Sequence, residues 1–107
     1  MAFDSGLVSR VADILASLGE RAVRQKNVFG GRGFLLGKTT FAIAWHESLL
    51  VKAAPGEHEA LLAEPGVTPF TPGGGSTMGT WLVVAADAIA DDPELTEWVR
   101  RGLRGIR

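Results

Sequence analysis

The chain has 107 residues, a common size for a single domain, and its formal net charge is −1. A charge so near zero gives no overall field that would draw the chain to DNA or an anionic membrane. Cysteine is absent, which excludes disulfides, thiolate nucleophiles and cysteine-bound metals. We predict one cytoplasmic domain over residues 1–107, with no secretion signal and no apolar run near the roughly 20 residues that span a bilayer.

The first predicted element is a helix over residues 5–18. Its apolar side chains recur at helical spacing and form one stripe. The side-chain oxygen of Asp4 or Ser5 can cap the first turn. Gly19 follows the last apolar position, where a left-handed residue commonly ends a helix. The N-terminal part of the chain therefore supplies one amphipathic helix.

The second predicted element is a strand over residues 21–36 that glycines interrupt. In a strand, such glycines commonly mark a bulge or a bend, and Phe29 and Trp81 can fill the core beneath it. The interrupting glycines are Gly30, Gly31 and Gly33. We expect the strand to bend here and the chain to turn back into the sheet at Gly37-Lys38.

The same stretch contains Gly37-Lys38-Thr39, which looks like the end of a phosphate-binding loop. The first glycine of that motif would fall on position 32, where this chain has Arg32. A phosphate loop also opens a helix, because the helix N-terminus helps to hold the anion. Here a β-branched and aromatic run follows. The residues favour a turn between strands over a nucleotide site.

The rest of the chain predicts four strands and two helices. The strand ranges are 41–45, 49–53, 67–72 and 78–86. The first two form a hairpin, the third has two prolines and can be only an edge strand or a loop, and the fourth is apolar enough to be central. One short helix covers 57–64, and another starts at Asp92-Pro93, where we expect the carboxylate to cap it. The order α-β-β-β-α-β-β-α predicts a two-layer α+β domain with an antiparallel sheet.

The sequence offers no convincing motif for catalysis, a metal or a cofactor. His46 lacks the second histidine of a zinc-binding H-E-x-x-H, and His58 lies among glutamates, so we expect both on the surface. Ser76-Thr77 beside three glycines can form an anion-binding turn, but a flexible turn is the simpler interpretation. We predict a protein that is not an enzyme and uses no cofactor.

Local charge is more informative than net charge. Between residues 21 and 38 every charged residue is basic, and four arginines lie near the C-terminus. The candidate partner or nucleic-acid contacts are Arg24, Lys26, Arg32, Lys38, Arg100, Arg101 and Arg104. Two such patches can contact phosphates or an acidic partner, or they can be ordinary solvated faces.

Over residues 21–103 the chain resembles the TfoX/Sxy N-terminal domain family. The resemblance rests on the order and spacing of five segments. They read VFGGRGFLLGKTTFAIAW, LLVK, LLAEPGVTPF, STMGTWLVV and DDPELTEWVRRGL. Their most specific residues include Phe29-Gly30-Gly31, Met78 and Trp81. We expect these motif residues, together with Gly33, to be mainly architectural.

This resemblance implies a curved antiparallel sheet of a secretion-chaperone-like kind, and a regulatory function. Named members are bacterial regulators of competence genes, described as acting with a cyclic-AMP receptor protein at promoters, and in them a helical C-terminal domain follows. We therefore expect a stand-alone N-terminal domain that contacts a protein, with DNA as the less supported partner and no membrane. The alternatives are a small-molecule-binding domain, with a pocket near residues 73–77, and a homodimer or larger homo-oligomeric scaffold.

Overall fold

The structure is a computed structural model that describes residues 3–28, 30–71 and 80–107. The strands are β1 (Val23–Val28), β2 (Gly31–Leu36), β3 (Thr39–Trp45), β4 (Ser48–Lys52), β5 (Val67–Pro69) and β6 (Trp81–Val84). The helices are α1 (Ser5–Ser17), α2 (His58–Leu62) and α3 (Asp92–Arg104), with a short 3-10 helix, Ala86–Ile89, before α3. All six strands pair antiparallel in the order β1-β2-β3-β4-β6-β5. The predicted α+β class is confirmed.

The helices cover one face of the sheet, and the main core lies between the two layers. Successive residues of a strand point to opposite faces, so residues that pair across strands share a face. Ala42, Val51 and Leu82 pair across β3, β4 and β6 in this way. All three are buried in one cluster with Leu15 of α1 and Leu95 of α3. The domain therefore has the predicted two layers.

The opposite face of the sheet carries a second, smaller apolar cluster. It comprises the buried residues Ile43, Leu50 and Phe70 and the half-buried residues Val28, Trp45, Trp81 and Val83. Trp45 meets Phe70 edge to face, with ring centroids 5.6 Å apart. The motif residue Trp81 thus packs in this cluster, which also contains Val28 and Ile43, the residues that pair with Gly31 and Gly33. Phe29 and Met78 lie outside the described residues.

Residues 21–36 form two strands rather than the single bent strand that the sequence suggested. β1 and β2 pair antiparallel from Val23 opposite Leu36 to Val28 opposite Gly31. The turn between them contains Gly30, whose φ of +79° is readily adopted only by glycine. The glycine-rich stretch therefore reverses the chain, and the true order has four strands before α2.

The predicted turn at Gly37-Lys38 is confirmed. Gly37 has a φ of +66°, and β3 follows directly after Lys38. A β-bulge does occur close by, between Phe34 and Leu35 in the pairing of β2 with β3. The strand after Gly37 excludes the helix that a phosphate loop needs to hold its anion.

β1 and β5 are the two edges of the sheet. β5 has three residues and ends at Pro69, which confirms the predicted edge strand. Proline suits an edge because it has no N–H to donate to a neighbouring strand. β6 lies between β4 and β5, away from the edges, as its apolar sequence predicted. The 73–77 turn falls outside the described residues.

The ends of α1 follow local sequence signals. The Oδ1 atom of Asp4 accepts hydrogen bonds from the N–H groups of Gly6 at 2.8 Å and Leu7 at 3.3 Å. Gly19 follows the helix with a φ of +79°. Both predictions are confirmed, because capping depends on residues only two or three positions apart.

The prediction that Asp92 caps α3 is wrong. Asp91 occupies the N-cap position. The Oδ1 atom of Asp92 instead accepts hydrogen bonds from Nε and Nη2 of Arg10, at 3.1 and 3.0 Å. The same guanidinium donates to the carbonyl oxygens of Ile89 and Ala90, at 2.9 and 3.2 Å. Asp91 makes no side-chain cap hydrogen bond, and Arg10 ties α1 to the start of α3.

Candidate functional site

The predicted contact residues fall on two parts of the fold. One set lies on β1, β2 and the turn after β2, and we call it the basic hairpin: Arg24, Lys26, Arg32 and Lys38. The other set lies on α3, and we call it the basic helix surface: Arg100, Arg101 and Arg104. Their ion pairs decide which of the two surfaces has charge available for a partner.

Arg101 is engaged inside the domain. Its Nη1 lies 2.9 Å from Oε1 of Glu64, and its Nε lies 3.3 Å from Oε2 of Glu97. Its guanidinium also lies over the ring of Trp98, 4.5 Å from the ring centroid. Only 17% of the side chain is exposed. Arg101 therefore joins α3 to the segment after α2, and the two glutamates neutralise its charge.

Two further arginines near the end of α3 also have acidic partners. Nη2 of Arg104 lies 3.4 Å from Oε2 of Glu57, and Nη2 of Arg107 lies 2.6 Å from Oε1 of Glu20. These pairs are more exposed than that of Arg101 and contribute little stability. These ion pairs matter more for binding than for stability. Each glutamate neutralises an arginine that, from the sequence alone, would be available to a partner.

Replacing Arg101 by glutamine is expected to lower the free energy of unfolding by about 1–2 kcal/mol, since the change removes two ion pairs and the contact with Trp98. Arg100 is exposed and has no ion pair among the described residues. Arg100→Gln is thus the matched control and should change stability by less than about 0.5 kcal/mol. Urea unfolding of both variants measures the difference, and equal stabilities would contradict the structural role of Arg101.

Arg24 and Lys26 lie on the face of β1 that points away from the helices. Between them, Gln25 pairs with Phe34, whose side chain belongs to the main core, so its two neighbours face the other side. Both basic side chains are exposed. Nη2 of Arg24 donates a hydrogen bond to the carbonyl oxygen of Gly37 at 3.1 Å, which holds it beside the turn that carries Lys38.

Arg32 lies on the other face of the same hairpin. It is half-buried, and its Nε donates to Oε1 of Gln25 at 2.9 Å while its Nη1 donates to Oδ1 of Asn27 at 3.0 Å. These two amide oxygens orient the guanidinium but carry no negative charge. Arg32 therefore keeps its charge, but it does not share a surface with Arg24 and Lys26.

The charge of the basic hairpin is not compensated locally. Residues 21–46 contain five Lys or Arg residues and no Asp or Glu. In the ranges that the structure covers, none of the hairpin cations has a carboxylate within ion-pair distance. Of the two predicted surfaces, the hairpin is the one whose charges are all available to a partner, whereas on the helix surface Arg101 and Arg104 are paired and only Arg100 is unpaired in the described ranges.

A family model described as the TfoX N-terminal domain matches residues 13–106. The chain belongs to the TfoX N-terminal domain family. The match extends from the middle of α1 to beyond the end of α3, so it includes both basic surfaces. Comparisons with curated proteins and with solved structures gave no match. Membership makes this a domain of the competence-regulator-like type, which agrees with the resemblance seen in the sequence.

This TfoX N-terminal domain has a groove that sequence reasoning did not anticipate. It has a volume of about 430 Å³ and lies between the second half of α1 and the first two strands. Ala12 and Ala16 of α1 line one side, Val23 and Gln25 of β1 line the other, and Leu15 and Phe34 are its buried residues. Glu20 and Arg21, in the loop between α1 and β1, also line it. Small side chains on α1 leave this space, but only the placement of α1 over the sheet reveals it. The pocket expected near residues 73–77 lies outside the described residues.

The two histidines of this TfoX N-terminal domain differ from each other. His46 is exposed, as predicted, in the turn between β3 and β4. His58, at the start of α2, is half-buried, contrary to prediction, since α2 packs against β5. Its Nε2 is buried without a hydrogen-bond partner among the described residues. Within residues 3–28, 30–71 and 80–107, no three His, Asp or Glu side chains are grouped so that they could hold a metal ion. No helix there has the length and apolar character to cross a membrane.

Proposed function

We propose that this TfoX N-terminal domain is a non-enzymatic regulatory module that acts near transcription by binding a partner through its basic hairpin. The observation that most supports this is the contrast between the two basic surfaces. On α3, Arg101 and Arg104 pair with glutamates of their own domain, whereas the hairpin cations have no acidic partner in the described ranges. An acidic partner can pair with the hairpin without first breaking an internal ion pair.

The position of the hairpin supports the same proposal. β1 stands at one edge of the sheet, and Arg24 and Lys26 are exposed on it. Complementary charge of this kind speeds encounter with a partner and sets its orientation. A protein with an acidic surface is the preferred partner, because the net charge of −1 gives DNA no attraction beyond the hairpin itself.

The double variant Arg24→Gln/Lys26→Gln is expected to abolish regulation while the domain stays folded, because both side chains are exposed and outside the cores. The measurement is the level of transcripts that change when the gene is deleted, in the cells that produce the protein. The matched control is Arg104→Gln/Arg107→Gln, which removes the same charge from paired sites and should regulate normally. Normal regulation by the hairpin variant would contradict the proposed function.

A titration with duplex DNA at low and high salt separates the two kinds of partner. Binding to DNA would weaken steeply as salt rises, and more so in the wild type than in the hairpin variant, because each lost phosphate contact lowers the salt dependence. Absence of binding at low salt would remove DNA as the partner and leave the protein partner in place.

A further inference from the structure

The free edge of β1 can accept another strand. Among the described residues β1 pairs only with β2, on one side, and it is six residues long without a proline. The four residues from Arg24 to Asn27 are exposed. The other edge, β5, has only three residues and includes Pro69. An edge with unpaired backbone groups is a template for strand addition, in which the main chain of a partner supplies the hydrogen bonds.

The face of β1 that points away from the helices determines the charge of such a strand. Arg24 and Lys26 are two positions apart, so both project from this face. In an antiparallel pair, directly opposite side chains have Cβ atoms about 4.5–5.5 Å apart, and opposite charges there are stabilising. A strand added to β1 would therefore place acidic residues opposite these two cations.

The helix-covered face of β1 determines the other residues of the added strand. Val23 and Gln25 lie on this face and line the groove of about 430 Å³ beneath α1, together with Glu20 and Arg21 of the loop before β1. The groove continues over Leu15 and Phe34 to the small side chains of Ala12 and Ala16. The residues of an added strand alternate between the two faces, so those between the acidic positions would point toward this groove. Apolar side chains fit over Val23, Leu15 and Phe34, beside the amide of Gln25.

We propose that β1 binds an extended segment of a partner protein in which acidic and apolar residues alternate. This inference rests on the proposed function and names the chemistry of the partner at the basic hairpin. A second copy of this chain fits less well, because antiparallel pairing of β1 with itself would place Arg24 and Lys26 opposite like charges. Duplex DNA would use the cations but neither the backbone edge nor the groove.

The test is a titration of the isotopically labelled domain with a short acetylated and amidated peptide that alternates valine and glutamate, followed by NMR. The amide signals of Val23–Val28 should shift, and their hydrogen exchange should slow as new backbone hydrogen bonds form. Two control peptides should bind roughly tenfold more weakly or worse: one with lysine in place of glutamate, and one with a central proline. Arg24→Gln/Lys26→Gln should weaken binding of the glutamate peptide to a similar extent, and Arg104→Gln/Arg107→Gln should not.

Three results would overturn strand addition. They are the absence of shifts at β1, equal binding of the lysine and glutamate peptides, and a dimer of the free domain, seen by light scattering, whose formation on raising the protein concentration shifts the amide signals of Val23–Val28. A parallel titration with duplex DNA keeps the two proposals distinct. If DNA but not the peptide shifts the hairpin signals, strand addition is wrong and the regulatory function through the hairpin stands. If the hairpin variant regulates transcription normally, the proposed function fails whatever the peptide does.

Discussion

Replacing Gly31 by alanine is expected to lower the free energy of unfolding by about 3 kcal/mol. Gly31 begins β2 and is buried, and a Cβ at this position would overlap the carbonyl oxygen of Ala44 on β3 and approach Cγ2 of Ile43 at 3.1 Å. The carbonyl belongs to the backbone of a paired strand, so it cannot move aside without disturbing the pairing of β2 with β3. Overpacking of a well-packed interior costs about 1–3 kcal/mol, occasionally more. Urea unfolding measures the loss.

Gly33 provides the matched control for this prediction. It lies two positions along the same strand, and an added Cβ there would lie 2.9 Å from Cγ2 of Val28. This obstacle is the end of a side chain, so the substitution Val28→Ala should recover part of the stability that Gly33→Ala loses. No truncation of a side chain should recover the loss in Gly31→Ala. If Gly31→Ala is as stable as the wild type, the close approach of β2 and β3 at this glycine is wrong.

Replacing Gly102 by leucine is expected to destabilise the domain by about 3 kcal/mol or to displace α3 from the sheet. Gly102 is buried where α3 crosses β3, and an added Cβ would lie 2.8 Å from the carbonyl oxygen of Phe41 and 3.2 Å from its ring. The absence of a side chain lets the helix approach the strand closely. Urea unfolding gives the loss in stability.

Arg100→Leu tests whether that loss comes from the position rather than from leucine itself. It adds the same side chain two residues earlier on α3, at an exposed site. Its stability should stay within about 0.5 kcal/mol of the wild type. Similar losses in both variants would mean that the close packing of Gly102 does not hold α3 in place.

Features that depend on neighbouring residues could be predicted from the sequence. The apolar stripes of α1 and α3 follow a helical period, and Leu95, Trp98 and Leu103 are buried in the core as that period implies. The cap at Asp4 and the edge position of Pro69 also follow from local chemistry. These signals were enough to give the two layers and most of the element order.

Features that depend on distant residues could not be predicted. Asp92 pairs with Arg10, 82 positions away, and Arg101 pairs with Glu64, 37 positions away. The charge pattern of the sequence therefore indicated seven candidate contacts, but it could not show that Arg101 and Arg104 form ion pairs with glutamates of the same domain. The sequence likewise gives no sign that Gly102 must be glycine. The requirement follows only from the close packing of α3 against Phe41. The groove also depends on how α1 lies over the sheet.

The division of residues 21–36 into two strands was missed for a local reason. Glycine in a strand can mark a bulge, a bend or a turn, and the residue types alone do not choose among them. The pairing of β1 with β2 distinguishes them, because it places Gly30 in the turn and Gly31 at the start of β2. Gly31 is then packed closely against Ala44 of β3. This turn creates the exposed edge strand on which the proposed function and the proposed partner depend.

The most direct test of the account is site-specific photo-crosslinking in the cells that produce the protein. In one variant a photoreactive amino acid replaces Thr39, an uncharged, exposed residue beside Lys38. In a second variant it replaces Arg100, an exposed residue of the basic helix surface. The account predicts that position 39 forms a discrete adduct with a partner, that Arg24→Gln/Lys26→Gln abolishes this adduct, and that position 100 forms none. A discrete adduct at position 100, with none at position 39, would contradict the assignment of the basic hairpin as the contact surface.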